Sequence, residues 1–206
     1  MWKEELIKLY NSRLELLNRE GVGKVDPALV YDRHLEEKVE RPIMVVGEAP
    51  GEEEARRGEP FVGKAGENLN YLISLTGLDR NRHFLITNIF PFRPIDPSGK
   101  NRPPTAKELK LALPYWKEEL ELVNPPLVLL LGNSAIRGVS YLYPELKSFP
   151  KCGYYRLAGR RWGVCYHPSP LAFNRPKIRE GLEQFFRELP RQLKEIGQAW
   201  NLEKRG

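Results

Sequence analysis

Three short apolar runs constrain this chain more than any other feature: "PIMVVG", ending at Gly47, "HFLITNIF", starting at His83, and "LVLLLG", ending at Gly132. Each is too short for an ordinary helix and each predicts a buried β-strand. Helical patterns lie between them. "ENLNYLISLTGL" predicts a helix stopped by Gly77. Thr105 and Glu108 have the spacing of a capping box that starts a helix running toward Val123, which Pro114 is expected to kink or divide. "NSAIRGV" predicts a short helix at the end of the third strand. Before all of this, Trp2, Leu6, Leu9, Tyr10, Leu14 and Leu17 recur at helical spacing up to Gly21, and residues 23–41 predict an irregular connection. Beyond it, "YYRL" and "RRWGVCY" flank Ala158-Gly159 as a hairpin whose second arm is expected in the main sheet, and a last helix covers Pro176 to Ile196. Strands alternating with helices predict an α/β fold: three α/β/α layers around a short, mainly parallel sheet of about four strands, with ligands at the strands' carboxyl ends.

At 206 residues the chain is expected to form a single domain, with residues 1–22 as an N-terminal helix and 43–187 as the core that carries the motifs. A hydrophobic share of 41% and a charged share of 29% suit a globular protein, and the apolar runs are far too short to span a bilayer. The opening "MWKEELIKLY" lacks the apolar core of a secretory signal, so an intracellular, cytoplasmic or nucleoid-associated place is expected. The net charge of +6 favours an anionic partner, nucleic acid foremost, although a basic solvated surface would look the same. Two cysteines, Cys152 and Cys165, cannot make a four-thiolate site and read as core or strand residues.

Gly58, Gly63 and Lys64 fall in the order G-x-x-x-x-G-K of a phosphate-binding loop. Such a loop follows its strand at once and ends in a hydroxyl that ligates magnesium. Here the strand stops near Gly47, Ala65 stands at the hydroxyl position, and Glu52, Glu53, Glu54 and Glu59 would repel a triphosphate. The sequence argues against nucleotide hydrolysis.

The strand ends offer a different reading when taken together. "GEAPG", 47–51, lets backbone approach a ligand and carries Glu48, with Glu54 just beyond. Pro60-Phe61 brings an aromatic to the same loop, Asn88 closes the second strand, and "HPSPL", from His167 to Leu171, follows the last one. With these motifs the chain resembles the uracil-DNA glycosylase superfamily over about residues 43–186, and "GEAPGEEEARRGEPFVGKAG" is most similar to its family-4 branch.

The resemblance implies a DNA repair enzyme that flips uracil out of single- or double-stranded DNA and hydrolyses its glycosidic bond, leaving an abasic site. Phe61 is then the face on which the base stacks. Asn88 offers one donor and one acceptor, matching O4 and N3–H of uracil, and cytosine reverses that pattern. His167 is the candidate donor to the charge that builds on uracil O2. For the sugar cation or the attacking water, Glu48 and Glu54 are both candidates; Glu48 could instead act through its backbone, and catalysis without a dedicated base stays open. Ala49 joins the base-binding set, standing where other branches carry an Asp. Gly51, Gly66 and Ser169 are expected to grip phosphates, Pro170 to stiffen its loop, and Leu171 to wedge into the base stack. Arg93, Lys100, Arg102, Arg175 and Lys177 are expected on the DNA backbone.

The chain departs from family 4 in one respect. That branch carries four cysteines holding an iron–sulfur cluster, whereas Phe92 and Ala112 stand near two of those places here, so no cofactor or metal is expected and apolar packing should fill the region. A monofunctional, monomeric glycosylase is the leading expectation. A glycosylase for hypoxanthine or other deaminated bases, and a non-catalytic DNA-binding relative, are the alternatives.

Overall fold

The structure is a computed structural model that describes residues 1–198. The end of the expected single domain, residues 199–206, lies outside the described residues. In chain order the elements are α1 (Trp2–Ser12), a 3-10 helix (Arg13–Asn18), β1 (Val25–Asp26), β2 (Ile43–Gly47), α2 (Glu52–Arg57), α3 (Lys64–Ser74), α4 (Arg80–His83), β3 (Phe84–Asn88) and β4 (Arg93–Pro94). They continue with α5 (Ala106–Val123), β5 (Leu127–Leu131), α6 (Asn133–Ser140), a second 3-10 helix (Pro144–Ser148), β6 (Gly153–Leu157), β7 (Arg160–Cys165), α7 (Pro170–Phe173) and α8 (Pro176–Glu195).

The main sheet has five strands in the order β3-β2-β5-β7-β6, rather than about four. The first four run parallel and only β6 is antiparallel, paired with β7 through the turn at Ala158-Gly159. The extra strand is the hairpin's first arm, which stays in the sheet as its edge. Both turn residues have positive φ, at 51° and 73°, the conformation that matches a hairpin's twist. A separate two-stranded ribbon joins β1 to β4.

Period-two alternation explains the layering. Met44, Val46, Leu85, Val128, Leu130, Trp162 and Val164 face one side and pack with Leu6 and Tyr10 of α1 and Leu109, Ala112 and Trp116 of α5. Ile43, Val45, Phe84, Ile86, Leu129 and Leu131 face the other side and pack with Leu69 and Leu72 of α3 and Leu182, Phe185 and Phe186 of α8. Strands buried on both faces read as continuous apolar runs, which is why they were visible in the sequence.

Two helix expectations change. α1 ends at Ser12 and continues as a 3-10 turn, because Leu14 points outward and the buried side chains past that point are Arg13 and Leu16. Arg13 enters the core because Glu119 receives it at 2.5 Å and also accepts from the Tyr10 hydroxyl at 2.7 Å. α5 runs unbroken through Pro114, whose helix is fixed at its start by reciprocal hydrogen bonds between Thr105 and Glu108. No helix among the described residues is long and apolar enough to cross a membrane.

Candidate active site

Parallel pairing brings four strand ends to one edge of the sheet. Gly47 is opposite Asn88, and Leu131 is opposite Cys165. The loops leaving these ends enclose a cavity of about 370 Å³ lined by Glu48, Ala49, Glu54, Phe61, Asn88, Asn133, Ser134 and His167 among others.

Asn88 is 7% exposed, and its side chain makes no hydrogen bond to any described residue, leaving the whole amide edge for a ligand. Gly47 makes room for it. A Cβ there would lie 2.5 Å from Asn88 Oδ1 and 2.9 Å from Phe61 Cε2, so any side chain would push the amide and the ring apart. Phe61 and His167 line the cavity as neighbours, their ring centroids 5.8 Å apart and tilted by 31°.

Phe61 sits at φ 50°, a left-handed conformation that a bulky side chain adopts only under constraint. The constraint comes from three sides. Arg80 Nη2 donates to the carbonyls of Pro60 (3.0 Å) and Phe61 (3.1 Å). Glu54 Oε2 accepts from the backbone N–H groups of Val62 (3.1 Å) and Gly63 (2.9 Å). On α3, Gly66 packs so closely that a Cβ would come within 1.9 Å of the Phe61 carbonyl oxygen.

His167 lines the cavity and is exposed. Desolvation by the protein around it still lowers its pKa below the ordinary imidazole value, while Glu54's charge pulls the other way. Its position depends on Gly132, at φ 96°, where a Cβ would be 2.7 Å from the His167 Cβ. The Gly132 N–H donates to the Cys165 carbonyl at 2.9 Å, fixing β5 against the strand that leads to His167. Asn68 of α3 donates to the Pro168 carbonyl at 2.9 Å and ties down the same loop.

The two glutamates differ. Glu54 is occupied: besides Val62 and Gly63, its carboxylate accepts from the Gly51 N–H at 3.1 Å. Glu48 keeps its carboxylate facing the cavity, with Arg137 Nη2 at 3.5 Å as its ion-pair partner. Desolvation raises its pKa, and a hydrogen bond from Ser134 and the charge of Arg137 hold the rise back. Lys64, from the G-x-x-x-x-G-K pattern, pairs with Glu67 at 3.3 Å, and Gly58 and Gly63 flank α2 and α3 as helix ends.

Four of the expected DNA contacts are engaged within the protein. Gly51 gives its N–H to Glu54, and Gly66 is buried against Phe61, so both serve packing. Arg93 is buried and donates to Asn101 Oδ1 (2.5 Å) and the Gly99 carbonyl (3.1 Å). Arg102 grips Glu108 with both terminal nitrogens, at 2.7 and 2.9 Å. Charge alone could not separate these clamps from solvent-facing cations. Lys100, Arg175 and Lys177 are exposed. Ser169 caps α7 by accepting from the Ala172 N–H at 3.2 Å, Pro170 is the helix's first residue, and Leu171 stands 72% exposed on it.

Arg80, Arg137, Ser134 and Gly132 were missed in the sequence. Gly132 and Ser134 follow "LVLLL" directly, so the rule that ligands gather at strand ends was the available signal; nothing local marks Arg80.

The family model of the uracil DNA glycosylase superfamily matches residues 36–194. The chain belongs to the uracil-DNA glycosylase superfamily. Similar proteins include the type-4 uracil-DNA glycosylase of Archaeoglobus fulgidus, 34% identical over 71% of this chain and 74% of that protein. The type-4 enzyme of Saccharolobus solfataricus is 35% identical over 71% of this chain and 69% of that protein. The type-4 enzyme of Sulfurisphaera tokodaii is 30% identical over 91% and 81%.

Family-4 likeness raises the question of a cluster. Phe92 is fully buried edge-to-face with Phe90, and Ala112 packs in the same apolar group as α1. With two cysteines in the sequence and Phe92 and Ala112 in apolar packing, the residues present do not supply the four thiolates of an iron–sulfur cluster.

Proposed function

We propose that this protein is a monofunctional, monomeric single-domain DNA glycosylase of the cell interior that excises uracil from DNA and needs no metal or cluster. The reading rests above all on one observation: an Asn88 amide without a protein partner lines the same cavity as Phe61 and His167.

A flipped uracil stacks on Phe61, and Asn88 accepts from N3–H and donates to O4. Cytosine presents the reverse pattern and leaves both groups unpaired. As the C1′–N1 bond breaks, its electron pair moves into the base and charge grows on O2, toward which a neutral His167 donates. The lowered pKa keeps the imidazole neutral, so the site does not begin with a cation beside the developing sugar cation. Water attacks C1′ and its proton passes to the departing uracil anion, with Glu48 rather than Glu54 as the carboxylate at the sugar, because Glu54 already accepts from three backbone N–H groups. Leu171 occupies the gap left in the stack, and Lys100, Arg175 and Lys177 meet the backbone.

The test is alkali cleavage of labelled DNA carrying one uracil, in single strands and duplexes, beside panels bearing hypoxanthine and cytosine. Cleavage at uracil alone supports the reading. Strands left intact at uracil but cleaved at hypoxanthine, or bound without any cleavage, contradict it.

A further inference from the structure

We infer that Cys152 and Cys165 close into an intramolecular disulfide when the reduced protein meets a peroxide. Packing carries the argument. Cys165 lies in the apolar cluster between the sheet and α8, and Cys152, just before β6, packs against that same cluster. The Cys152 N–H donates to the Val164 carbonyl at 2.6 Å, which holds Cys152 beside the residue that precedes Cys165. On α8, Gly181 leaves the space beside them open: a Cβ there would lie 3.2 Å from Cys152 Sγ.

The two thiols have different surroundings. Cys152 is partly exposed, and the hydrogen bond from Cys165 and the charge of Lys151 hold its thiol below its ordinary pKa against the cost of burial. Cys165 is fully buried, which pushes its thiol far up. Cys152 is therefore the attacking sulfur, since the thiolate is the nucleophile. Its thiolate attacks one peroxide oxygen, the O–O bond breaks and hydroxide leaves, giving a sulfenic acid. Cys165 sulfur then attacks Cys152 sulfur; the S–S bond forms, the S–O bond breaks, and the hydroxyl leaves as water with the Cys165 proton. The two thiols are oxidised by two electrons and one peroxide is reduced.

The full-length protein, reduced and desalted, is titrated with hydrogen peroxide and followed by intact mass and thiol count. The expected product is a monomer lighter by two hydrogen atoms, with both thiols lost together and the tryptic peptides 152–156 and 162–177 joined until dithiothreitol separates them. Cys152→Ala, at the more exposed position, should show no such mass loss. Added oxygen on Cys152 without joined peptides, or disulfides between chains, overturns the inference.

Discussion

Glycines decide the active-site geometry at the residue scale, because two side chains stand where a third would collide. Gly47→Ala puts a methyl within 2.5 Å of Asn88 Oδ1, and the misplaced amide and ring should lower uracil excision about 10²-fold with little change in DNA binding, checked by single-turnover rates beside a binding titration. His167 gives a pH prediction. Its folded pKa is depressed, so between that value and about 6.5 the unfolded chain binds more protons. Stability from this group is thus present above about 6.5 and lost as pH falls through the folded pKa. Proton-by-proton NMR titration should place His167 below the ordinary value, and Glu54→Gln should move it lower still, because Glu54 is the charge that opposes the shift. A value at or above the ordinary one contradicts the desolvated environment. Asn88 and His167 could be singled out in the sequence because one ends a strand run and the other follows one, and Phe61 only through the glycine-rich motif around it. Arg80 was not: its work is to hold two carbonyls nineteen and twenty residues away, and such a contact leaves no local pattern.

At the scale of elements, strands buried on both faces and a capped helix were readable because local chemistry and tertiary role agree. Thr105 and Glu108 form the reciprocal cap that their spacing predicts, and Glu108 also receives Arg102 and the Gly23 N–H at 3.1 Å. Thr105→Ala should cost about 1 kcal/mol and lower Tm by about 2–4 °C. Glu108→Ala should cost more, since it strands Arg102 and removes the acceptor of two backbone N–H groups; calorimetry that ranks the two variants the other way contradicts this account. Pro114 shows where local rules fall short. Burial of Leu113, Trp116 and Leu120 on the same helix holds it continuous, although proline removes a hydrogen bond inside α5. The sheet's fifth strand escaped the reading for a related reason: whether the hairpin's first arm stays in the sheet depends on the edge it meets, not on its own residues.

Considered as a whole, the molecule combines a net positive charge with a cavity at the carboxyl edge of a parallel sheet. With a net charge of +6, the apparent affinity for single-stranded DNA should fall linearly on a log–log plot against salt, and Lys100→Ala, Arg175→Ala and Lys177→Ala should flatten the slope, whereas Arg93→Ala and Arg102→Ala should chiefly lower Tm. The region of Phe92 and Ala112 is packed with apolar side chains, so the purified protein should contain no stoichiometric iron by elemental analysis and keep its activity after chelation. The most direct test of the central claim is alkali cleavage of uracil-bearing DNA by the wild-type protein beside Asn88→Ala and His167→Ala. The account predicts cleavage at uracil alone, reduced about 10²–10³-fold in each variant. Uracil-bearing strands left intact by the wild type, or cleaved equally by all three proteins, would contradict it.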